Sequence, residues 1–305
     1  MISAADMENY PKLARDIITG MAQAAEAQPD RAVAFQGAPG AYSHQAMREL
    51  FPDAPPMPCF SFEDAIEAVK AGRAARAVIP IENSLHGRVA DIHFLLPESG
   101  LSIIAEHFVR VRHCLLAPRG AAREGVREAL SHPQALGQCR KRLREWGIKP
   151  VAFADTAGAA AKAAELNDSA IAAVASRLAG ELYGLDVLAE GIEDEAHNTT
   201  RFVVLAREAV EPDPADGMLM TTLMFEVRSV PAALFKALGG FATNGVNLTK
   251  LESYMRGGSF QAAEFYADIE GSPADPAFAR ALDELRYFSR WVRLLGTYKQ
   301  ARARA

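Results

Sequence analysis

The chain has 305 residues, half of them hydrophobic and 23% charged, with a formal net charge of −5. That length predicts about two domains with a full core, and the composition excludes wholesale disorder. The acidic balance argues against nucleic acid as a partner, and no apolar run approaches the roughly 18–20 residues of a membrane span, so no membrane partner is expected.

Residues 1–30 carry Asp6, Glu8, Arg15 and Asp16 and no continuous apolar stretch. They do not read as a secretory signal, and the expected location is cytoplasmic. This Ala-rich opening reads as a helical arm or extension. Order is expected from Ala32-Val33-Ala34-Phe35, a strand closed by the turn Gly37-Ala38-Pro39-Gly40. Ser61 precedes Phe62, Ala65, Ile66 and Val69, the pattern of an N-cap before an apolar helix face. Residues 77–81 read as a buried strand, and Asn83-Ser84 as the cap of a helix bearing Val89, Ile92 and Leu96.

Arg110 and Arg112 alternate with Val109 and Val111 ahead of Cys114-Leu115-Leu116, which predicts strands crossing into a second lobe. There Val126–Leu130 reads as a strand. Leu136, Cys139, Leu143 and Trp146 form a helical stripe that Gly147 ends. A strand at 151–153, an Ala-rich helix over Thr156–Leu166, a strand at Ile171–Val174, a helix over Ser176–Tyr183 and a strand at Phe202–Leu205 follow. Alternating strands and helices predict an α/β sheet architecture.

The proline-bearing run Glu211–Gly217 marks a linker. Beyond it the order is β-α-β-β-α-β. The strands are Leu223–Val227, Val246–Tyr254, Phe260–Ile269 after the turn Gly257-Gly258, and Trp291–Leu295. One helix has Pro231 at its first position and Leu234, Leu238 and Phe241 along its face; the other carries Phe278, Leu282 and Leu285. This is the ferredoxin-like order.

No GxGxxG, GxxxxGK[ST] or GxSxG motif is present. Cys59, Cys114 and Cys139 are too scattered for a disulfide framework or a CxxC site. His86 and His93 could share a helix face but lack a third ligand, so no metal site is expected. What remains is three polar clusters at strand ends, where open α/β sheets bind ligands. They are Glu82-Asn83-Ser84, Ser131-His132-Pro133-Gln134 and Asn198-Thr199-Thr200-Arg201-Phe202. Each also has a plain structural reading: helix capping, a β-to-α turn, and strand-forming threonines. Arg201, beside an apolar strand, demands an anion or a carboxylate partner.

In chain order, the segments Gly37-Ala38-Pro39-Gly40-Ala41-Tyr42-Ser43, Pro80-Ile81-Glu82-Asn83-Ser84, Ser131-His132-Pro133-Gln134-Ala135-Leu136 and Thr199-Thr200-Arg201-Phe202 resemble prephenate dehydratase. The resemblance runs from Val33 to about Tyr298. Thr-Arg-Phe is that family's catalytic signature, and Ala41-Tyr42 stands where it usually has Thr-Phe. The resemblance implies an extension at 1–30 and a two-lobed catalytic region at 31–208, similar to periplasmic binding proteins, with its site between the lobes. Lobe 1 would be about 31–108 and 189–208, and lobe 2 about 109–188. An ACT regulatory domain is implied at 218–298.

By the same resemblance, Thr200, Arg201 and Glu82 are catalytic, and Asn83, Ser84, Gln134, Phe202 and Ser43 bind substrate. Pro231, Ala232, Leu234, Asn244, Asn247, Leu248, Glu252 and Ser253 would hold phenylalanine as a regulatory ligand. Two departures fall there, since the family's usual Gly is Ala232 and its usual Arg-Pro is Tyr254-Met255. The implied reaction converts prephenate to phenylpyruvate without a cofactor. Thr200 would assist the leaving hydroxyl, Arg201 would fork a carboxylate, and Glu82 could accept a hydrogen bond or hold Arg201. A homodimer or homotetramer through the ACT domains is implied. Two alternatives stay open: an arogenate dehydratase, acting on the aminated side chain, and a non-catalytic cytosolic amino-acid-sensing protein.

Overall fold

A computed structural model describes residues 4–213, 215, 217–255 and 264–304. The expected turn Gly257-Gly258 and the strand start at Phe260 lie outside the described residues. The chain divides into two compact units, Met1–Val89 with His107–Phe202, and Ala90–Glu106 with Val203–Ala305.

The first unit opens with α1 (Ala4–Met7), α2 (Lys12–Ala27), β1 (Val33–Gln36), α3 (Tyr42–Leu50), β2 (Pro56–Cys59), α4 (Phe62–Lys70), β3 (Arg76–Asn83) and β4 (Gly87–Arg88). After α5 (Ala90–Ser99), β5 (Ser102–Arg110) leads to β6 (Cys114–Ala117), β7 (Glu128–Ser131), α6 (Pro133–Gln138), α7 (Arg140–Glu145) and β8 (Lys149–Ala152). Then come α8 (Thr156–Leu166), β9 (Ile171–Ala175), α9 (Arg177–Tyr183), β10 (Asp186–Glu190) and β11 (Thr199–Ala206). One sheet has the order β2-β1-β3-β11-β5, with β4 paired to β3; the other has the order β10-β6-β9-β7-β8. The α/β expectation is met, with parallel pairing of β1 to β2 and β3, and of β7 to β8 and β9.

Local chemistry explains several elements. Ser61 Oγ accepts from Asp64 N–H at 3.1 Å while the Asp64 carboxylate accepts from Ser61 N–H, a reciprocal cap that starts α4. Asp155 caps α8 by accepting from Gly158 N–H at 2.7 Å. Ala157, Ala159, Ala160, Ala161 and Ala163 are fully buried, so α8 can lie close on its sheet. The stripe from Leu136 to Trp146 is two short helices, α6 and α7, that meet at Cys139.

The residues of α2 do more than form an arm. Ala14, Ile18 and Ala25 are buried, Tyr10, Ala14 and Ile18 join the cluster around α8, and Leu13 N–H donates to Glu165 Oε1 at 3.0 Å.

The turn after β1 is held by α9: Ser176 Oγ donates to Gly40 O at 2.6 Å and Tyr183 Oη to Pro39 O at 2.8 Å. Gly40 has φ +93°, and a Cβ there would sit 2.7 Å from Ala179 Cα. Gly40→Ala is therefore expected to destabilise the protein by about 2–4 kcal/mol, combining a left-handed backbone penalty with overpacking. A urea unfolding series should show a lower midpoint with an unchanged slope; an unchanged midpoint would mean that the turn relaxes freely.

The second unit contains α5, β12 (Leu219–Val227), α10 (Ala233–Thr243), β13 (Leu248–Tyr254), β14 (Glu264–Glu270), α11 (Pro276–Phe288) and β15 (Ser289–Lys299). The antiparallel sheet order β13-β14-β12-β15 is the ferredoxin-like arrangement expected for an ACT unit. Phe225, Phe241, Phe265, Phe278 and Leu285 fill its core. Pro231 is not the first helical residue. Ala232 precedes α10 with φ +58°, a left-handed backbone that favours glycine. Ala90–Glu106 groups with this unit. His93 on α5 stacks on Tyr254 at 5.2 Å between ring centroids and meets Tyr266 edge-on at 5.0 Å. No described helix is long and apolar enough to cross a membrane.

Candidate active site

A cavity of about 450 Å³ in the first unit is lined by the ends of β1 and β3, the entry to β11, and the starts of α3, α6 and α8. The side chain that organises its floor is Asn83. Its Oδ1 accepts from the N–H groups of Leu85 and His86, at 3.0 and 3.1 Å, and closes the turn into β4. Those two donors fix which end of the amide is oxygen. Nδ2 must then face β11, where it donates to Asn198 Oδ1 at 2.7 Å and Thr200 Oγ at 3.0 Å. Asn83 thus caps a tight turn, whereas α5 begins only at Ala90.

Because Thr200 Oγ accepts from Asn83, its own proton is left for a ligand in the cavity that it lines. Strand alternation sorts its neighbours. Asn198, Thr200 and Phe202 line the cavity; Arg201, 1% exposed, does not. The Arg201 guanidinium instead pairs with Glu82, Nη1 to Oε1 at 3.0 Å. Of the two carboxylate roles expected for Arg201, the structure shows the pair with Glu82. Glu82 lies outside the wall too. Ser84 Oγ donates to His197 O and accepts from Thr199 N–H, each at 2.9 Å, tying the turn to β11 rather than lining the cavity. Of the remaining expected residues, Asn83, Gln134, Phe202 and Ser43 are all in the wall.

The cavity also holds residues that sequence reasoning missed. Tyr42 Oη lies 2.9 Å from His113 Nδ1, His113 Nε2 lies 2.7 Å from Gln138 Oε1, and Gln138 Nε2 lies 2.7 Å from His86 Nε2. Burial lowers the His113 pKa, against smaller opposing effects of Gln138 and Glu193, which favours the neutral ring with a single N–H. The Gln138 oxygen can only accept, so neutral His113 carries its proton on Nε2 and its Nδ1 accepts from Tyr42 Oη, which also lies 2.9 Å from Arg112 O. Gln138 stands one helical turn beyond Gln134 on α6, a spacing that could have found it. His86 sits in the turn before β4, so it shares no helix face with His93. Among the described residues no three ligand-type side chains converge as a metal site.

Groups of both signs line the cavity. Arg88 is in the wall, and Ala41, the residue before α3, supplies no side-chain cap where a threonine could have. Asp155, also in the wall, has its pKa raised by burial, opposed by backbone N–H groups at the start of α8.

Next to Ser43, buried His44 accepts from Gly40 N–H at 3.1 Å and stacks on Phe35. Burial, with Arg48 adding, lowers its pKa from 6.5 to about 4. The unfolded chain then binds the proton first as pH falls, so stability should drop between pH 6.5 and about 4 by roughly 3 kcal/mol. Urea midpoints across that window should fall more steeply for the wild type than for His44→Asn, and parallel curves would clear His44.

In the second unit, several expected regulatory residues have internal partners. Asn244 ends α10, donating to Gly240 O at 2.9 Å and accepting from Arg280 Nε at 2.8 Å. Asn247 donates to Glu270 Oε2 at 3.1 Å, while Glu252 pairs with Lys250 at 3.0 Å and accepts from Tyr254 Oη at 2.9 Å. Leu234 packs on the core, Pro231 and Ala232 lead into α10, and Leu248 and Ser253 lie on β13.

The prephenate dehydratase family model matches residues 33–210. A bifunctional N-acyl-homoserine lactone acylase/prephenate dehydratase of Komagataeibacter europaeus is 51% identical over 270 residues, 88% of this chain and 96% of that protein. The chloroplastic arogenate dehydratase/prephenate dehydratase 2 of Arabidopsis thaliana is 42% identical over 275 residues, 87% of this chain and 72% of that protein. Among solved structures, prephenate dehydratase from Arthrobacter aurescens in complex with L-Phe is 32% identical, with a TM-score of 0.80 over 88% of this chain and 90% of that one. With the Thr200-Arg201-Phe202 strand, the Asn83 turn and the cavity they frame all inside the matched span, the chain belongs to the prephenate dehydratase family.

Proposed function

We propose that this protein is a carbon–oxygen lyase that converts prephenate to phenylpyruvate. The observation that carries the reading is the Thr200 hydroxyl, turned towards the cavity by its bond from Asn83. In the reaction, the electron pair of the ring C–carboxylate bond enters the ring and CO2 leaves. The ring C–OH bond breaks, and the departing hydroxide takes one proton to become water. Aromatisation drives the step. Thr200 hydrogen-bonds the leaving oxygen; Arg201 and Glu82 are positioning residues that hold β3 against β11 behind it. Asn83, Gln134, Ser43 and Phe202 shape the substrate's place. The pure protein should form phenylpyruvate from prephenate, and parallel turnover of arogenate to phenylalanine decides the preferred side chain. Turnover of neither would sink the reading.

The C-terminal unit is read as an ACT module that binds phenylalanine between two copies of the chain. Its element order and the L-Phe complex of the Arthrobacter relative support this. Phe235 is 79% exposed and Tyr287 67%, apolar surface that a second copy could cover. Sedimentation should find at least a dimer, and calorimetry with phenylalanine should show binding together with inhibition. A monomer without heat of binding would sink this part. A second reading, hydrolysis of an N-acyl-homoserine lactone, rests on the Komagataeibacter relative's name and 51% identity. Release of fatty acid from such a lactone, measured by mass spectrometry, tests it.

A further inference from the structure

Asn198 was read as part of a strand-entry cluster, with no role of its own. It is 1% exposed, and it lines the cavity. Its backbone carbonyl accepts from Val111 N–H at 2.9 Å, and its Oδ1 accepts from Asn83 Nδ2 at 2.7 Å. Its Nδ2 has no hydrogen-bond partner among the described residues. An amide can often escape such a deficit by turning over, so that oxygen and nitrogen exchange places. Here it cannot. The N–H groups of Leu85 and His86 hold the Asn83 oxygen on their side, so Asn83 presents N–H to Asn198, which must answer with oxygen. A turned Asn198 would set two donors face to face. The orphan is therefore a property of the fold, and leaving such a donor buried and unmet costs about 1–3 kcal/mol. Buried orphans that persist call for a function.

We propose that Asn198 is a substrate-binding residue whose Nδ2 donates to an oxygen of the anionic substrate, beside the oxygen served by Thr200. The two groups share one aligner, because Asn83 Nδ2 donates to both Asn198 Oδ1 and Thr200 Oγ. Each is thereby left with a proton to give: the amide N–H of Asn198 and the hydroxyl of Thr200. An acceptor oxygen with excess electron density, a carboxylate or a departing hydroxyl, fits this pair of donors; an ammonium does not. Asn198 thus favours binding through the substrate's oxygens, whichever side chain it carries. This inference rests on the dehydratase reading.

The test is Asn198→Asp in the full chain. The introduced carboxyl keeps an oxygen for Asn83 but replaces the donor with a second, charged acceptor. At neutral pH kcat/KM should fall at least about 100-fold, the scale of a lost hydrogen bond to a charged group plus repulsion. As pH is lowered the introduced group protonates and regains an O–H donor, so the ratio of variant to wild-type kcat/KM should rise. A residue that only holds Asn83 in place would give near-wild-type activity and a flat ratio, and that result overturns the proposal. If the acidic variant does not fold, Asn198→Ala carries the test. A loss of about 10- to 100-fold in kcat/KM with an unchanged unfolding midpoint supports the proposal, and unchanged kcat/KM overturns it. Wild-type protein inactive on both prephenate and arogenate would overturn the dehydratase reading and this inference with it. An active wild type with an equally active Asn198→Asp removes the inference alone.

Discussion

Thr200→Ala is expected to lower kcat by about two to four orders of magnitude, the usual effect of losing a positioned proton donor. The hydroxyl accepts from Asn83 on one side and faces the cavity on the other, so its removal takes away the hydrogen bond to the leaving oxygen. KM should change little, because this contact strengthens as hydroxide departs and not before. The fold should tolerate the change. Asn83 Nδ2 keeps its bond to Asn198 Oδ1, so the cost is about 1 kcal/mol, that of one hydrogen bond. Thr200→Ser keeps the hydroxyl and should retain most of the rate. Steady-state kinetics of both variants, with thermal unfolding as the control, checks this. An alanine variant turning over at the wild-type rate would remove Thr200 from the chemistry.

Asn83→Asp should be nearly as costly to kcat, by roughly 100-fold or more, although the change is close to isosteric. One carboxylate oxygen can still accept from Leu85 and His86, so the turn into β4 should survive. The other oxygen replaces the donor that served Asn198 and Thr200. Thr200 would then point its hydroxyl proton at the new carboxylate and away from the substrate, while a negative charge enters the site proposed for an anionic substrate. Unfolding midpoints near wild type together with collapsed kcat are the expected pair of results. A variant with normal kcat would show that Thr200 does not depend on Asn83 for its orientation.

Much of the fold was legible because its local signals agreed. Ser61 ahead of the apolar face Phe62, Ala65, Ile66 and Val69 gave α4, and the Ala-rich run Thr156–Leu166 gave α8 to the residue. Two elements were hidden for definite reasons. Pro56 and Pro58 argue against a strand, yet β2 lies at a sheet edge, where missing N–H donors are tolerated. The buried face of α3 includes Ser43 and His44, polar residues that dilute the apolar period of Tyr42, Ala46, Met47 and Leu50.

The site divides along the same line. Segments 80–84 and 199–202 were legible, and so was a hold of Glu82 on Arg201 across 119 residues; which carboxylate Arg201 meets was left open between that one and the substrate's. Extending the expected strand back to Thr199 would have put Thr200 and Phe202 on one face and Arg201 on the other. Tyr42, His113, Gln138 and His86 come from four separate places in the chain. Only their convergence in space makes them a hydrogen-bonded line.

The split of Ala90–Glu106 away from its sequence neighbours has a practical meaning for the regulatory unit. The polypeptide passes between the two units at Val89–Ala90, Glu106–His107 and Phe202–Val203, and the last two crossings fall inside β5 and β11. The second unit is thus joined to the first by three crossings of the chain, two of them inside strands. Scission at the linker Glu211–Gly217 would not release two finished bodies. It would strip Tyr254 and Tyr266 from the buried ring of His93 and leave apolar surface open to aggregation. Loss of feedback in such a fragment would report damage as readily as deregulation. A single change in the intact chain at Ala232, ahead of α10, is the cleaner way to separate any control from catalysis.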